Sequence, residues 1–280
     1  MFSPSAIQKE RFLKVALIFL FSLLCIALNV AWNTPATGYE ASIYRSTPLI
    51  LWVSLISSVI AGIAIVLASI TKNKLDHSYL WKIGFLLVFI SYTVCLALFI
   101  IRGYYMWCLS GDPATHIGWI KETLTSGHTP IVVIHPITHI YISDIILITD
   151  LDLVFLHKII PVIFSILFIL YMYVFARTIF HNTAAALIVG IISCTSFRTD
   201  FYLNLAPNGL SDLLLPLVLF VIFKCMYQRC MAWAVPRSIQ IILYPVFHPV
   251  PTIFIAMVLL TLWIPHTIPG IAQYIHRRRT

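Results

Sequence analysis

The chain has 280 residues, of which 60% are hydrophobic and 10% charged, and its mean hydropathy is +0.96. A soluble domain carries about 25% charged residues, and no fold of this size could hide so much apolar surface from water, so the soluble classes are excluded. The net charge of +8 points to no nucleic acid, because Lys and Arg accumulate on the cytoplasmic loops of membrane proteins.

The apolar runs are long and lack the polar/apolar alternation of a membrane barrel, so they read as helical spans of about 20 residues. The expected architecture is an all-α, polytopic transmembrane helix bundle of about eight spans. In chain order these are 13–32, 48–70, 83–101, 153–176, 183–198, 211–228, 237–248 and 250–266. The first run is too long for the apolar region of a signal peptide and lacks a convincing cleavage site, so it is expected to be a retained span. The last two are short and Pro-rich. Two weaker segments, 113–126 and 134–149, lie between spans three and four.

Orientation follows from basic residues. Lys9, Arg11 and Lys14, then Lys72, Lys74 and Lys82, then Arg177, then Lys224, Arg229 and Arg237, and finally Arg277, Arg278 and Arg279 all fall on one side of an eight-span map. That side is the cytoplasm, so both termini are expected there, in a multi-pass protein of the cell membrane. The stretch 102–152 is acidic and falls outside. Its second segment puts His135, Thr138 and His139 on one helical face and Ile137, Ile140 and Ile148 elsewhere, the pattern of an amphipathic helix lying in the interface. As a span it would carry Asp144 into hydrocarbon, at roughly 2.5–3.5 kcal/mol on insertion scales. The six cysteines form no Cys-x-x-Cys and read as small hydrophobes.

Three polar clusters interrupt the apolar pattern on the outer side. In "GDPATH" (111–116), Asp112 and Pro113 suit the start of a helix, but capping does not explain His116, one turn on and on the same face. An Asp and a His so spaced can orient a hydroxyl, exchange a proton or bind a metal. In "FRTDFYLNLAPNGLSDLLLPL", Asp200, Asn204, Asn208 and Asp212 follow span five, where Asn-Gly also marks a turn. In "YPVFHPVP", His248 stands between prolines at the turn of the last hairpin. The first outer loop offers Glu40 beside interfacial tyrosines.

The order of these features resembles the N-terminal half of the GT-C glycosyltransferases, the superfamily of oligosaccharyltransferases, protein mannosyltransferases and aminoarabinose transferases. "GDPATH" is similar to the first outer-loop acid motif, "HKIIPVIFSILFILYMYVFARTIF" (157–180) to the following span with its basic end, and "GLSDLLLPL" (209–217) to the segment with the second acid. The resemblance covers about 83–228. It divides a single membrane domain, 1–280, into an added N-terminal pair (1–82), a core (83–228) and a last hairpin with a basic tail (229–280). Family members are usually longer. The resemblance implies an inverting transfer of a sugar from a polyprenyl-phosphate-linked donor to an acceptor at the outer face. Asp112 and His116 would be catalytic. His135, His139, Asp200, Asn204, Asn208, Asp212 and His248 would bind substrate. Asp112 is also the candidate ligand of a divalent cation, magnesium or manganese. Membrane lipid is the other expected partner.

The alternative is a non-enzymatic polytopic protein, a transporter or flippase-like subunit. Transporters place ionisable residues and broken helices near mid-membrane, whereas Asp112, Asp212 and His248 map to the outer interface. The map is checked by placing a cysteine at His128, which should react with an impermeant reagent from outside only. Reaction only from the cytoplasmic side would reverse the orientation.

Overall fold

The computed structural model describes residues 4–72, 75, 79–105, 112–195, 203–228 and 231–267. The described residues form helices α1 (Pro4–Trp32), α2 (Ile43–Ser46), α3 (Leu49–Thr71), α4 (Leu80–Leu96), α5 (Leu98–Ile101), α6 (Asp112–Ser126), α7 (Ile137–Thr149), α8 (Leu153–Phe180), α9 (Thr183–Thr195), α10 (Pro207–Gln228), α11 (Met231–Phe247) and α12 (Pro249–Thr267), with no strand among them. By length and composition, four segments suffice to cross a membrane: Lys14–Trp32, Leu49–Thr71, Leu153–Phe180 and Pro207–Tyr227. They coincide with predicted spans one, two, four and six. Shorter apolar helices occupy predicted spans three, five and eight, and α11 occupies predicted span seven. The third is interrupted at Ala97, where the backbone leaves the helical region and α4 gives way to the single turn of α5.

The chain forms two compact units, each discontinuous in sequence: residues 1–109 with 154–204, and residues 110–153 with 205–280. In the first, α3 lies against α4 along a stripe of small residues. Ser54, Ser58, Gly62 and Ser69 are buried on α3, and Gly84 and Ser91 on α4. At the crossing the two backbones nearly touch. A Cβ on Gly62 would stand 2.5 Å from the Gly84 carbonyl oxygen, and one on Gly84 would stand 2.8 Å from that of Gly62. Close approach through small residues is how helices gain contact in a medium as apolar as their own side chains. Leu24, Ala27 and Ala31 of α1 then pack with Leu51, Leu55, Leu87 and Val94, while Leu187 and Ile191 of α9 meet Val66.

The same unit holds a buried ion pair. The Arg102 guanidinium is 2% exposed. It donates from Nη1 and Nη2 to the two Glu40 carboxylate oxygens at 2.7 and 2.8 Å, from Nε to the Thr34 carbonyl at 3.1 Å, and from Nη1 to the Tyr104 hydroxyl at 3.0 Å. Tyr104 in turn donates to Glu40, and the Ala36 N–H donates to the Arg102 carbonyl at 2.8 Å. Lys158 of α8 reaches the Tyr104 carbonyl at 3.3 Å. The loop after α1, the end of α5 and α8 are thus joined at one point. Glu40, singled out in the sequence as a candidate for function, is a structural partner here.

In the second unit, Val218 and Ile222 of α10, Tyr244 of α11 and Ile255 of α12 form the apolar centre. The Tyr244 hydroxyl donates to the Ser211 carbonyl at 2.5 Å, tying α11 to the first turns of α10. Helix α7 has an unexpected orientation. Thr138, His139 and Ser143 are buried with Ile142, while Leu147 and Ile148 are 72% and 83% exposed. The amphipathic pattern read from the sequence is present, but its polar face turns into the protein and its apolar face turns out. Asp144, one turn before Ile148, is exposed on that same side, so the outward face is not wholly apolar.

Hydrogen bonds from Arg102 hold the Glu40 carboxyl down at about 2, below its ordinary 4.5 and against the effect of burial. A depressed carboxyl contributes stability that is complete above its unfolded pKa and is lost as pH falls through the folded one. The detergent-solubilised protein should therefore lose thermal stability between about pH 4.5 and pH 2. Glu40→Gln should remove that acid limb, and Arg102→Ala should destabilise by less than the roughly 3–5 kcal/mol of a fully buried pair, because the Glu40 carboxylate keeps partial access to water. An acid limb unchanged in Glu40→Gln would show that Glu40 is not the group responsible.

Candidate functional site

Helix α6 begins at Asp112, with Pro113 at its second residue, where a fixed φ and a missing N–H cost nothing. Pro113, Ile117 and Ile120 are buried on one side of α6. The offset of four residues leaves Asp112 and His116 together on the side that lines a cavity of about 240 Å³. His135, just before α7, and His139, on its first turn, face the same space. Pro207 and Asn208 at the start of α10 and His248 between α11 and α12 complete the polar wall, and Val132, Val133 and Ile134 form an apolar one. All these residues belong to the second unit.

The closest contact in the cavity is between two histidines. His116 Nδ1 lies 2.9 Å from His139 Nε2, and the Trp119 ring stands edge-on to both. His139 is fully buried. The carbonyls of His135 and Pro136, one turn back, favour a proton on the nitrogen that faces them, although Nδ1 forms no full hydrogen bond. With the His139 proton on Nδ1, its Nε2 accepts from His116 Nδ1–H, and the lone pair of His116 is on its own Nε2. On the other side, the His135 and His248 rings lie 5.3 Å apart between centroids.

Burial pushes His139 down to about 4, and the neighbouring His116 charge acts in the same direction. His116 is also lowered by burial. Asp112 raises it and His248 lowers it further. Near neutral pH both members of the pair are therefore uncharged. Among the described residues that line the cavity there is no Lys or Arg, and Asp112 is the one carboxylate.

Of the residues proposed from sequence, Asp112, His116, His135, His139, Asn208 and His248 line this cavity. Asp212, one turn beyond Asn208 on α10, is half-buried but does not line it. Asn204 is buried in the first unit, and Asp200 lies outside the described residues. Sequence reasoning missed Trp119, although it follows His116 by three residues on a helix. It also missed the apolar wall, whose signal was the run "IVVI" between two prolines. Among the described residues no group of three or more His, Cys, Asp or Glu is arranged to hold a metal ion. Comparisons with family models, with curated proteins and with solved structures give no match.

The lowered histidines set an acid sensitivity. A His with a depressed folded pKa contributes stability above its unfolded value near 6.5, and that contribution is lost as pH falls through the folded value. Nitrogen-15 spectra of histidine-labelled protein should show His139 neutral down to about pH 4, with Asp112→Asn lowering the His116 pKa further. A His139 that titrates at 6.5 or above would contradict the buried neutral pair.

Proposed function

We propose that the protein is a membrane glycosyltransferase of the GT-C type, which moves a sugar from a polyprenyl-phosphate-linked donor to an acceptor at the outer membrane face. In this reading the chain crosses the membrane about eight times with both termini in the cytoplasm, and α6 and α7 lie in the outer interface. One observation carries the proposal. A single cavity in a membrane-spanning chain joins a carboxylate and a neutral histidine with a free lone pair to an apolar wall.

The cavity is smaller than the roughly 300–1,000 Å³ of sites that engulf a whole ligand. It suits a sugar ring or an acceptor group, with the hydrocarbon of the donor left outside along Val132, Val133 and Ile134. Asp112, or His116 through Nε2, takes the proton from the acceptor hydroxyl. The freed oxygen attacks the anomeric carbon, a new glycosidic bond forms with inversion, and the bond from that carbon to the phosphate oxygen breaks. The bonding electrons leave on the polyprenyl phosphate. His139 holds the His116 tautomer through the 2.9 Å contact, and Trp119 packs against both rings.

A divalent cation fits this site in one way only. The protein supplies one carboxylate, Asp112, so magnesium or manganese would be held mainly by phosphate and water oxygens, as magnesium commonly is. Bound there, it would supply charge to balance the phosphate.

The test is transfer by membranes given polyprenyl-linked sugar donors. Asp112→Asn should lower the rate by about 10²–10⁴ while the protein still folds and inserts. Undiminished transfer by Asp112→Asn would remove the catalytic role and leave Asp112 as the residue that starts α6.

A further inference from the structure

The chain between α6 and α7 changes character within a few residues. Gly127, in the left-handed region at φ +77°, follows the end of α6. Around it the exposed side chains are hydrophilic, from Lys121, Glu122 and Thr125 to Ser126 and His128. Pro130 is then buried and anchors a turn, in which the Val133 N–H donates to the Pro130 carbonyl at 3.0 Å. On that turn Ile131 is 100% exposed, and Val132 and Ile134 are also exposed. No Asp, Glu, Lys or Arg occurs between Glu122 and Asp144.

We infer that this turn is a wedge in the membrane: the side chains of Ile131, Val132 and Ile134 enter the adjoining leaflet, while the chain back to His128 stays in water. Three observations select lipid as the occupant. Val132, Val133 and Ile134 line one small cavity with Pro207 and Asn208, and Pro207 begins a helix of the same unit that is long and apolar enough to cross a membrane. The turn therefore stands at the level where that span would meet the membrane surface. The exposed patch is also wrong for a protein partner. It is aliphatic, without the Trp, Tyr or Arg that anchor protein interfaces, and it is one turn long, where such interfaces take roughly 20–30 residues from each side. Finally, Ile131 is fully exposed and is not among the residues lining the cavity, so the turn is not folded down on it as a lid. The depth is bounded by the backbone. Irregular chain does not enter hydrocarbon, because its amides would lose their hydrogen bonds. Only the side chains dip, within the roughly 5–10 Å burial of interfacial segments. The inference goes beyond the proposed transfer reaction and holds whatever chemistry the cavity performs.

The experiment compares Ile131→Cys with His128→Cys, in the full chain with its six native cysteines changed to alanine. Each is labelled with bimane and placed in lipid nanodiscs, where both faces meet water. Bimane at 131 should be quenched by lipid carrying a nitroxide near the headgroup end of its acyl chain, less by one near the chain end, and little by aqueous iodide. Bimane at 128 should show the reverse preference between iodide and lipid. A second measurement keeps the native cysteines: with p-benzoylphenylalanine in place of Ile131, illumination should join one lipid to the chain, and the same residue in place of His128 should not. Iodide quenching at 131 equal to that at 128 would overturn the inference. Crosslinks from 131 only within the chain would make the turn a lid, and crosslinks to a second chain would make it a protein contact. Either result would overturn it as well.

Discussion

Within hydrocarbon, apolar side chains gain little by leaving lipid for one another, so a bundle cannot be specified by burying Leu against Leu. Several of the described contacts meet that constraint by other means. Gly62 and Gly84 let two backbones meet, Arg102 and Glu40 join a loop to two helices, His116 meets His139, and Tyr244 reaches the Ser211 carbonyl. The large exposed residues, such as Ile18, Ile56 and Leu260, are normal for a surface that faces lipid tails.

Much of the helix pattern could be read directly. Eleven of the twelve described helices lie over segments predicted from apolar runs and flanking polar residues, because insertion into a membrane demands such runs whatever the packing. The break at Ala97 was not visible, since "CLALFII" is as apolar as any continuous span. Four helices are long and apolar enough to cross by length and composition, fewer than the runs suggested, because several apolar runs are divided or shortened by Pro and loop residues.

The site was legible where its geometry is local. A separation of four residues on a helix puts Asp112 beside His116 without reference to the rest of the chain, and the same spacing pairs His135 with His139. Contacts across the sequence were not legible. His116 and His139 are 23 residues apart and Glu40 and Arg102 are 62 apart, and no periodicity connects either pair. Glu40 therefore looked like a functional carboxylate and is the partner of a buried arginine. Asp212 lies close to Asn208 in sequence, yet the turn of α10 that brings Asn208 to the cavity leaves Asp212 off its lining.

The electrostatics of the cavity narrow what can occupy it. Burial lowers two of its histidines, and among the described lining residues Asp112 is the one carboxylate and no lysine or arginine is present. A phosphate placed deep among these groups would stand beside the Asp112 carboxyl, with no lysine or arginine among the described lining residues to oppose it. A neutral ring with several hydroxyls suffers no such penalty, because Asp112, Asn208 and the histidine nitrogens offer acceptors and donors for it. For a lipid-linked sugar this orders the molecule. In the proposed reading the sugar would enter, the phosphate would stay at the rim or bring its own cation, and the chain would follow the apolar residues 132–134. A hydroxyl held between Asp112 and the His116 lone pair is also where removal of a proton costs least, since the positive charge formed on His116 would stand beside a carboxylate already in place.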